Sequence, residues 1–159
     1  MEVREYKASE LDEITKIWNE VVEDGIAFPQ EEKLDFQSAE VFFASQSFTG
    51  VAADEGRIAG LYILHPNNVG RCGHICNASF AVSKDVRGKH IGEKLVLHCI
   101  GKARELGFGI IQFNAVVESN IHARHLYERL GFKTIGTVPK GFRMKDGHFE
   151  NICLYYYEL

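Results

Sequence analysis

Apolar positions along the chain switch between two periods, and each switch marks an element boundary. Leu11, Ile14, Ile17, Trp18, Val21 and Val22 recur at helical spacing. Ser9 stands where a cap is wanted, Glu10, Asp12 and Glu13 fill the first turn, and Gly25 is the stop. Val3 to Lys7 reads as a short strand before this helix. Residues 24–35 keep no period, and Pro29 breaks them, so a loop is expected there. Residues 38–45 read as a second short helix. Phe48 to Ala53 and Arg57 to Leu64 are strands joined by Asp54-Glu55-Gly56, a hairpin signal. After a loop from Pro66 to Gly73, His74 to Val82 is the next strand. Ile91, Leu95, Cys99, Ala103 and Leu106 then set an amphipathic helix from His90 to Leu106, ending at Gly107. Ile110 to Val117 is a strand. Asn120 opens a helix with Ala123, Leu126, Tyr127 and Leu130 on one face and Gly131 as its stop. Phe132 to Val138 and Asn151 to Tyr157 are the last strands, with Lys145-Asp146-Gly147-His148 as the turn between their outer parts.

This is an α/β order without repeats or linkers, expected to form one domain over residues 1–159. The helix between strands 74–82 and 110–117 returns the chain in the same direction, so those strands are expected to be a parallel pair. Hydrophobic residues make up 45% and charged residues 25%, ordinary for a soluble globular protein. A net charge of -4 gives no whole-surface attraction to nucleic acid or to an anionic membrane. No apolar run approaches the roughly 20 residues of a membrane span. Met1-Glu2-Val3-Arg4-Glu5 does not read as a signal peptide, and the four cysteines lack the density of a disulfide scaffold. A cytoplasmic protein is expected. Cys72-Gly73-His74-Ile75-Cys76 has no second ligand pair at finger spacing, so no metal site is expected.

Chemistry concentrates in Val82 to Leu97, where an apolar strand ends, a polar loop with Gly88 and Gly92 follows, and a helix starts. Glycine lets backbone approach a ligand, and the first N–H groups of a helix lack internal partners at the positive end of its dipole. A loop of this kind is an anion site suited to phosphates. Lys84, Arg87, Lys89, His90 and Lys94 add positive charge. His90 stands where a nucleotide triphosphatase loop needs Ser or Thr, and Gly-x-Gly-x-x-Gly is absent. A plain strand-to-helix turn is the alternative.

Arg87-Gly88-Lys89-His90-Ile91-Gly92 resembles the pyrophosphate loop of the GCN5-related N-acetyltransferase (GNAT) family, Gln/Arg-x-x-Gly-x-Gly/Ala, with His90 in place of a glycine. Asn120-Ile121-His122-Ala123-Arg124-His125-Leu126-Tyr127-Glu128-Arg129-Leu130-Gly131-Phe132 resembles the family signature Asn-x-x-Ala-x-x-x-Tyr-x-x-x-Gly-Phe at every defined position. The resemblance implies a mixed, mostly antiparallel, twisted sheet of about seven strands with a splayed parallel pair, flanked by about four helices. It implies acetyl-coenzyme A as cosubstrate. Backbone from Arg87 through Gly88, Lys89, His90, Ile91 and Gly92 to Glu93 would bind the pyrophosphate, and the pantetheine arm would pair with Phe80-Ala81-Val82. Asn120, Ala123 and Tyr127 would complete the cofactor site. Asn77-Ala78-Ser79-Phe80, Phe113-Asn114, Pro139-Lys140-Gly141-Phe142 and Lys145-Asp146-Gly147 look like the branch that acetylates L-azetidine-2-carboxylate and related proline analogues, beside the phosphinothricin-type L-amino-acid acyltransferases. That likeness implies an acceptor site lined by Asn77, Phe80 and Asn114, with Phe28 as a further wall or, equally, a core contact.

Attack of a neutral amine on a thioester needs a donor for the developing oxyanion and a proton for the leaving thiolate. Tyr127 is the candidate acid, since a tyrosine with a pKa of about 10 still carries its proton at neutral pH. Its alternative is packing on the apolar helix face. Asn77 and Asn114 sit inside strands, where Asn is disfavoured, and buried amides need partners. They are read as acceptor-binding catalytic groups rather than bases. Asn120 caps its helix, touches the cofactor, or both. His122 and His125 are read as surface histidines, His74 and His98 as structural, and Glu118 as solvated. Cys76 and Cys99 have no adjacent base, which favours direct transfer over an acyl-enzyme. Arg143, Lys145 and Lys140 are either partners for an acceptor carboxylate or solvated hairpin charge. Asn77 and Phe80 face opposite sides of a regular strand, so a bulge near Ala78-Ser79 is expected; an unbroken ladder from Ile75 to Val82 would overturn it. The expected partner is a small-molecule amine. Tyr155-Tyr156-Tyr157 is a core strand or the contact of a homodimer. A non-catalytic acyl-coenzyme A sensor and a protein Nα- or lysine acetyltransferase are the competing readings.

Overall fold

The computed structural model describes residues 1–86 and 88–159. Strands β1 (Glu2–Glu5), β2 (Phe48–Asp54), β3 (Arg57–Pro66), β4 (Ile75–Val82), β5 (Ile110–Val117), β6 (Lys133–Arg143) and β7 (Phe149–Glu158) form one sheet in the order β1-β2-β3-β4-β5-β7-β6. Helices α1 (Leu11–Asp24), α2 (Phe36–Ala44), α3 (Ile91–Glu105) and α4 (Ile121–Arg129) flank it. All neighbouring strands are antiparallel except β4 and β5. The expected fold, including its single parallel junction, is the one observed.

β3 explains why the sheet needs helices on both faces. Ile58, Leu61 and Ile63 pack with Leu11, Ile14, Ile17 and Trp18 of α1, while Tyr62 and Leu64 pack with Leu95, Val96 and Cys99 of α3. A strand buried on both sides reads as a continuous apolar run rather than an alternating one, and Ile58 to Leu64 is such a run.

The start of α1 differs from expectation. Ser9 does not cap the helix; it lies inside a short 3-10 turn, Ala8–Glu10. Glu10 stands at the cap position without a side-chain capping bond; its carboxylate turns back to accept the Lys7 N–H at 2.8 Å and to bond Arg4 at 2.6 Å. α2 starts earlier than expected because Asp35 caps it, accepting the Ser38 N–H at 2.8 Å. Gly25 ends α1 at φ 64°, a left-handed conformation that favours glycine. The loop after it is anchored at its far end, where the Asn19 amide bonds both the N–H and the carbonyl of Leu34 at 2.8 Å. Phe28 then tucks against Trp18 at 4.4 Å between ring centroids.

β4 and β5 pair only at Ile75–Ile110 and Cys76–Ile111, and then part. The ladder between β3 and β4 runs without a shift from Pro66–Cys76 to Gly60–Val82. The bulge expected at Ala78-Ser79 is therefore absent. It lies in the facing strand instead: the register of β5 against β7 slips between Phe113–Tyr155 and Val116–Cys153. The residues left over are Asn114 and Ala115. A bulge bends its strand and increases its twist, which carries β5 away from β4. Asn77 and Phe80 do face opposite sides, and both reach the opening because the gap passes between the strands.

Trp18 is 1% exposed and holds Phe28, Phe42 and Phe43 together. Truncation to alanine should cost about 3–5 kcal/mol of stability, read by denaturant unfolding, and should loosen the loop that carries Phe28.

Candidate active site

The gap between β4 and β5 opens into a cleft of about 480 Å³. Its walls include Asn77, Ala78, Phe80 and Val82 from β4, Phe113, Asn114 and Ala115 from β5, Asn120, His122, Ala123 and Tyr127 from the α4 region, Gly92 from α3, and Phe28 from the 25–35 loop. Expected site residues from five separate segments therefore meet in one place. A larger cavity of about 880 Å³ lies on the other side of Phe28 and Pro29, against the β6–β7 turn. The smaller cleft is the candidate active site, because it alone joins the strand gap to Tyr127 and the amides.

Backbone direction sets what the gap offers. The Ile75 carbonyl accepts from Asn67 on the β3 side, and the Ser83 N–H donates to Ala59 on that same side. The His74 carbonyl accepts from Gly109 and Ile110 on the β5 side. By alternation, Ala78, Phe80 and Val82 turn their backbone groups toward the gap. The Ala78 N–H is taken by the Oδ1 of Asn77 at 2.8 Å. Ala81, expected at the cofactor, has its side chain in the core beside α1 and its backbone opposite Leu61 of β3. Phe80 and Val82 front the cleft without it.

The loop before α3 is the candidate anion site. Gly88 and His90 stand at φ 77° and 54°, left-handed conformations that turn successive N–H groups to one side. Among the described residues, the N–H groups from Gly88 to Glu93 have no protein acceptor; the first helical bond runs from Lys94 to His90. Arg87 lies outside the described residues. The cations of this stretch are largely engaged: Lys84 pairs with Asp24 at 2.8 Å and Lys89 with Asp54 at 2.6 Å. Ile91 is buried beneath the loop and contributes only backbone. Glu93 binds Arg129 of α4 through both oxygens, at 2.8 and 3.2 Å, and ties the two helices across the mouth.

Tyr127 packs among Phe113, Phe80, Phe132 and Tyr155, with Phe113 at 4.6 Å. Burial raises its hydroxyl above the usual tyrosine value, which keeps it protonated. Burial pushes the Cys76 thiol up to about 12 and the Cys99 thiol higher still, so neither supplies a thiolate. Asn120 caps α4 by accepting the Ala123 N–H at 3.3 Å, and it also lines the cleft. Phe28 is both core and wall. Glu118 is exposed and bonded to Asn151, as a solvated strand end would be.

His122, read from the sequence as a surface residue, lines the cleft from the first turn of α4. Its position two residues after a capping Asn was the available signal. No carboxylate stands among the described lining residues. The hairpin cations front the larger cavity: Arg143 is paired with Glu31, and Lys145 donates to the Glu23 carbonyl at 2.8 Å.

Residues 11–132 match the acetyltransferase (GNAT) family. The chain is 32% identical to the N-acetyltransferase aca1 of Schizosaccharomyces pombe, over 93% of this chain and 78% of that protein. A GCN5-related N-acetyltransferase from Kribbella flavida superposes with a TM-score of 0.92 at 32% identity, covering 99% of this chain and 97% of that one. The yncA protein of Salmonella typhimurium, solved with its cofactor acetyl-CoA, superposes at 0.93 with 20% identity, covering 100% and 94%.

A side chain at φ 54° is strained, so His90→Gly should raise stability by about 0.5–1 kcal/mol. Paired thermal melts test this. A lower melting temperature would show that the imidazole makes a contact worth more than the strain.

Proposed function

The chain belongs to the acetyltransferase (GNAT) family and is an acetyl-coenzyme A-dependent N-acetyltransferase; we propose that its acceptor is a small primary or secondary amine of the L-amino-acid or proline-analogue type. The observation that carries this reading is the convergence of Asn77, Asn114, Phe28 and Tyr127 on a cleft whose described lining has no carboxylate. Amides can hold an amine and a carboxylate by hydrogen bonds without presenting the charge that an acidic peptide groove would use.

In this reading the diphosphate rests on the N–H groups from Gly88 to Glu93, which have no acceptor among the described residues, and the amide-bearing arm adds to the open edge at Phe80 and Val82. The thioester then lies between Asn77 and Asn114. The amine nitrogen attacks the thioester carbon, a C–N bond forms, and the C–S bond breaks. Tyr127 gives its proton to the departing thiolate, and the proton lost by the amine leaves through water. Asn114 and Asn77 orient the acceptor. Direct transfer fits the neutral, buried state of Cys76 and Cys99.

Thiol release followed across L-amino acids, L-azetidine-2-carboxylate and short peptides tests the acceptor class. Turnover with the small amines is expected. Turnover with peptides alone, or cofactor binding without turnover, would contradict the proposal. Tyr127→Phe should lower kcat by about 10²–10⁴-fold while the dissociation constant for acetyl-CoA stays the same. A raised tyrosine pKa means the acid form persists at low and neutral pH and is lost only as pH rises through the folded value. The Tyr127-dependent step should therefore show no alkaline loss below a pH of about 10. A loss of kcat nearer neutrality that disappears in Tyr127→Phe would refute the assignment.

A further inference from the structure

Asn114 does not stand alone in β5. Its Oδ1 accepts from the Nε2 of Gln112 at 3.0 Å, and its Nδ2 donates to the Oδ1 of Asn67. Gln112 and Asn114 are two residues apart in one strand and so share a face. Asn67 belongs to the loop beyond β3, where its own N–H is fixed to the Ile75 carbonyl at 2.8 Å. β4 lies between β3 and β5 in the sheet. The Asn67–Asn114 contact therefore crosses β4, reaching β5 beyond Ile111, where its pairing with β4 stops.

A primary amide has two donor hydrogens and an oxygen with two lone pairs. With one partner at each end, the Asn114 amide keeps one N–H and one lone pair. The Nε2 of Gln112 faces the Asn114 oxygen and the Oδ1 of Asn67 faces its nitrogen, so the Asn114 amide can reverse only if all three amides turn together. Without these neighbours the terminal torsion of an Asn is broad, and the amide could turn end for end. Asn114 lines the cleft, whereas Asn67 and Gln112 do not.

We propose that Asn67, seconded by Gln112, is a positioning residue: it locks the Asn114 amide in one orientation, so that its free N–H and free lone pair are aimed at the acceptor. This rests on the reading that Asn114 binds the acceptor. Asn67 touches no reacting atom and acts only through Asn114.

The test compares Asn67→Ala, Asn67→Asp, Asn114→Ala and the Asn67→Ala/Asn114→Ala pair, using the amine with the fastest thiol release in the acceptor screen. Asn67→Ala should lower kcat/KM for the amine by about 10–100-fold and leave KM for acetyl-CoA unchanged. Asn67→Asp keeps the accepting oxygen and should recover most of that loss. In the Asn114→Ala background, Asn67→Ala should add nothing. Independently of any substrate, the side-chain NH₂ signals of Asn114 in ¹⁵N NMR spectra should shift in Asn67→Ala. If Asn114→Ala leaves amine kinetics untouched, the acceptor reading fails and this inference falls with it. If Asn114→Ala impairs turnover but Asn67→Ala is silent, or adds its full effect in the double variant, the inference alone is overturned. An unchanged Asn114 NH₂ signal in Asn67→Ala overturns it as well.

Discussion

Two strands that begin as hydrogen-bonded neighbours and then separate leave backbone donors and acceptors without partners, and a protein tolerates that only where something else can satisfy them. Here β4 and β5 share two residue pairs before the extra residue at Asn114-Ala115 bends β5 away. The cost is contained locally. β4 stays fully laddered to β3, β5 stays laddered to β7, and Asn77 caps the first exposed N–H of the gap with its own side chain. The rest of the gap is an open edge at Phe80 and Val82. The same opening lets residues from both faces of the sheet reach one cavity.

The anion site obeys the same logic on a smaller scale. Backbone N–H groups at the start of α3 are the proposed source of the attraction, while Lys84 and Lys89 are held by Asp24 and Asp54. These exposed pairs contribute little to stability, but they keep the loop from being a patch of loose positive charge. The Glu93–Arg129 contact links α3 to α4 between the candidate anion site and Tyr127.

Much of this was legible in the residues because it is local. The stripes on α1 and α4, that on α3 as far as Ala103, the stops at Gly25, Gly107 and Gly131, and the Asp54-Glu55-Gly56 hairpin fell where their patterns placed them, whereas Leu106, expected in the α3 stripe, lies past the helix and is exposed. The parallel junction followed from a crossover helix. What escaped notice depends on partners distant in sequence. Ser9 has the chemistry of a cap, yet it lies inside a 3-10 turn whose Glu10 is held by Arg4. Asp24 and Asp54 neutralise lysines 60 and 35 residues away, which no local window can show. The bulge was expected in β4 because two side chains had to reach one pocket; the possibility that the strands part and expose both was the missing alternative. Asn67 gave no signal because its role exists only through Asn114, 47 residues later. Phe28 carried two readings, core and wall, and both apply.

Amide hydrogen exchange, followed residue by residue with and without acetyl-CoA, addresses the central point most directly. Cofactor should slow exchange at Phe80 and Val82 and across Gly88 to Glu93, and leave the β1–β2 and β6–β7 ladders as they were. Saturating cofactor that protects none of those amides, or protects a different surface, would mean that the gap between β4 and β5 is not where the acyl donor binds.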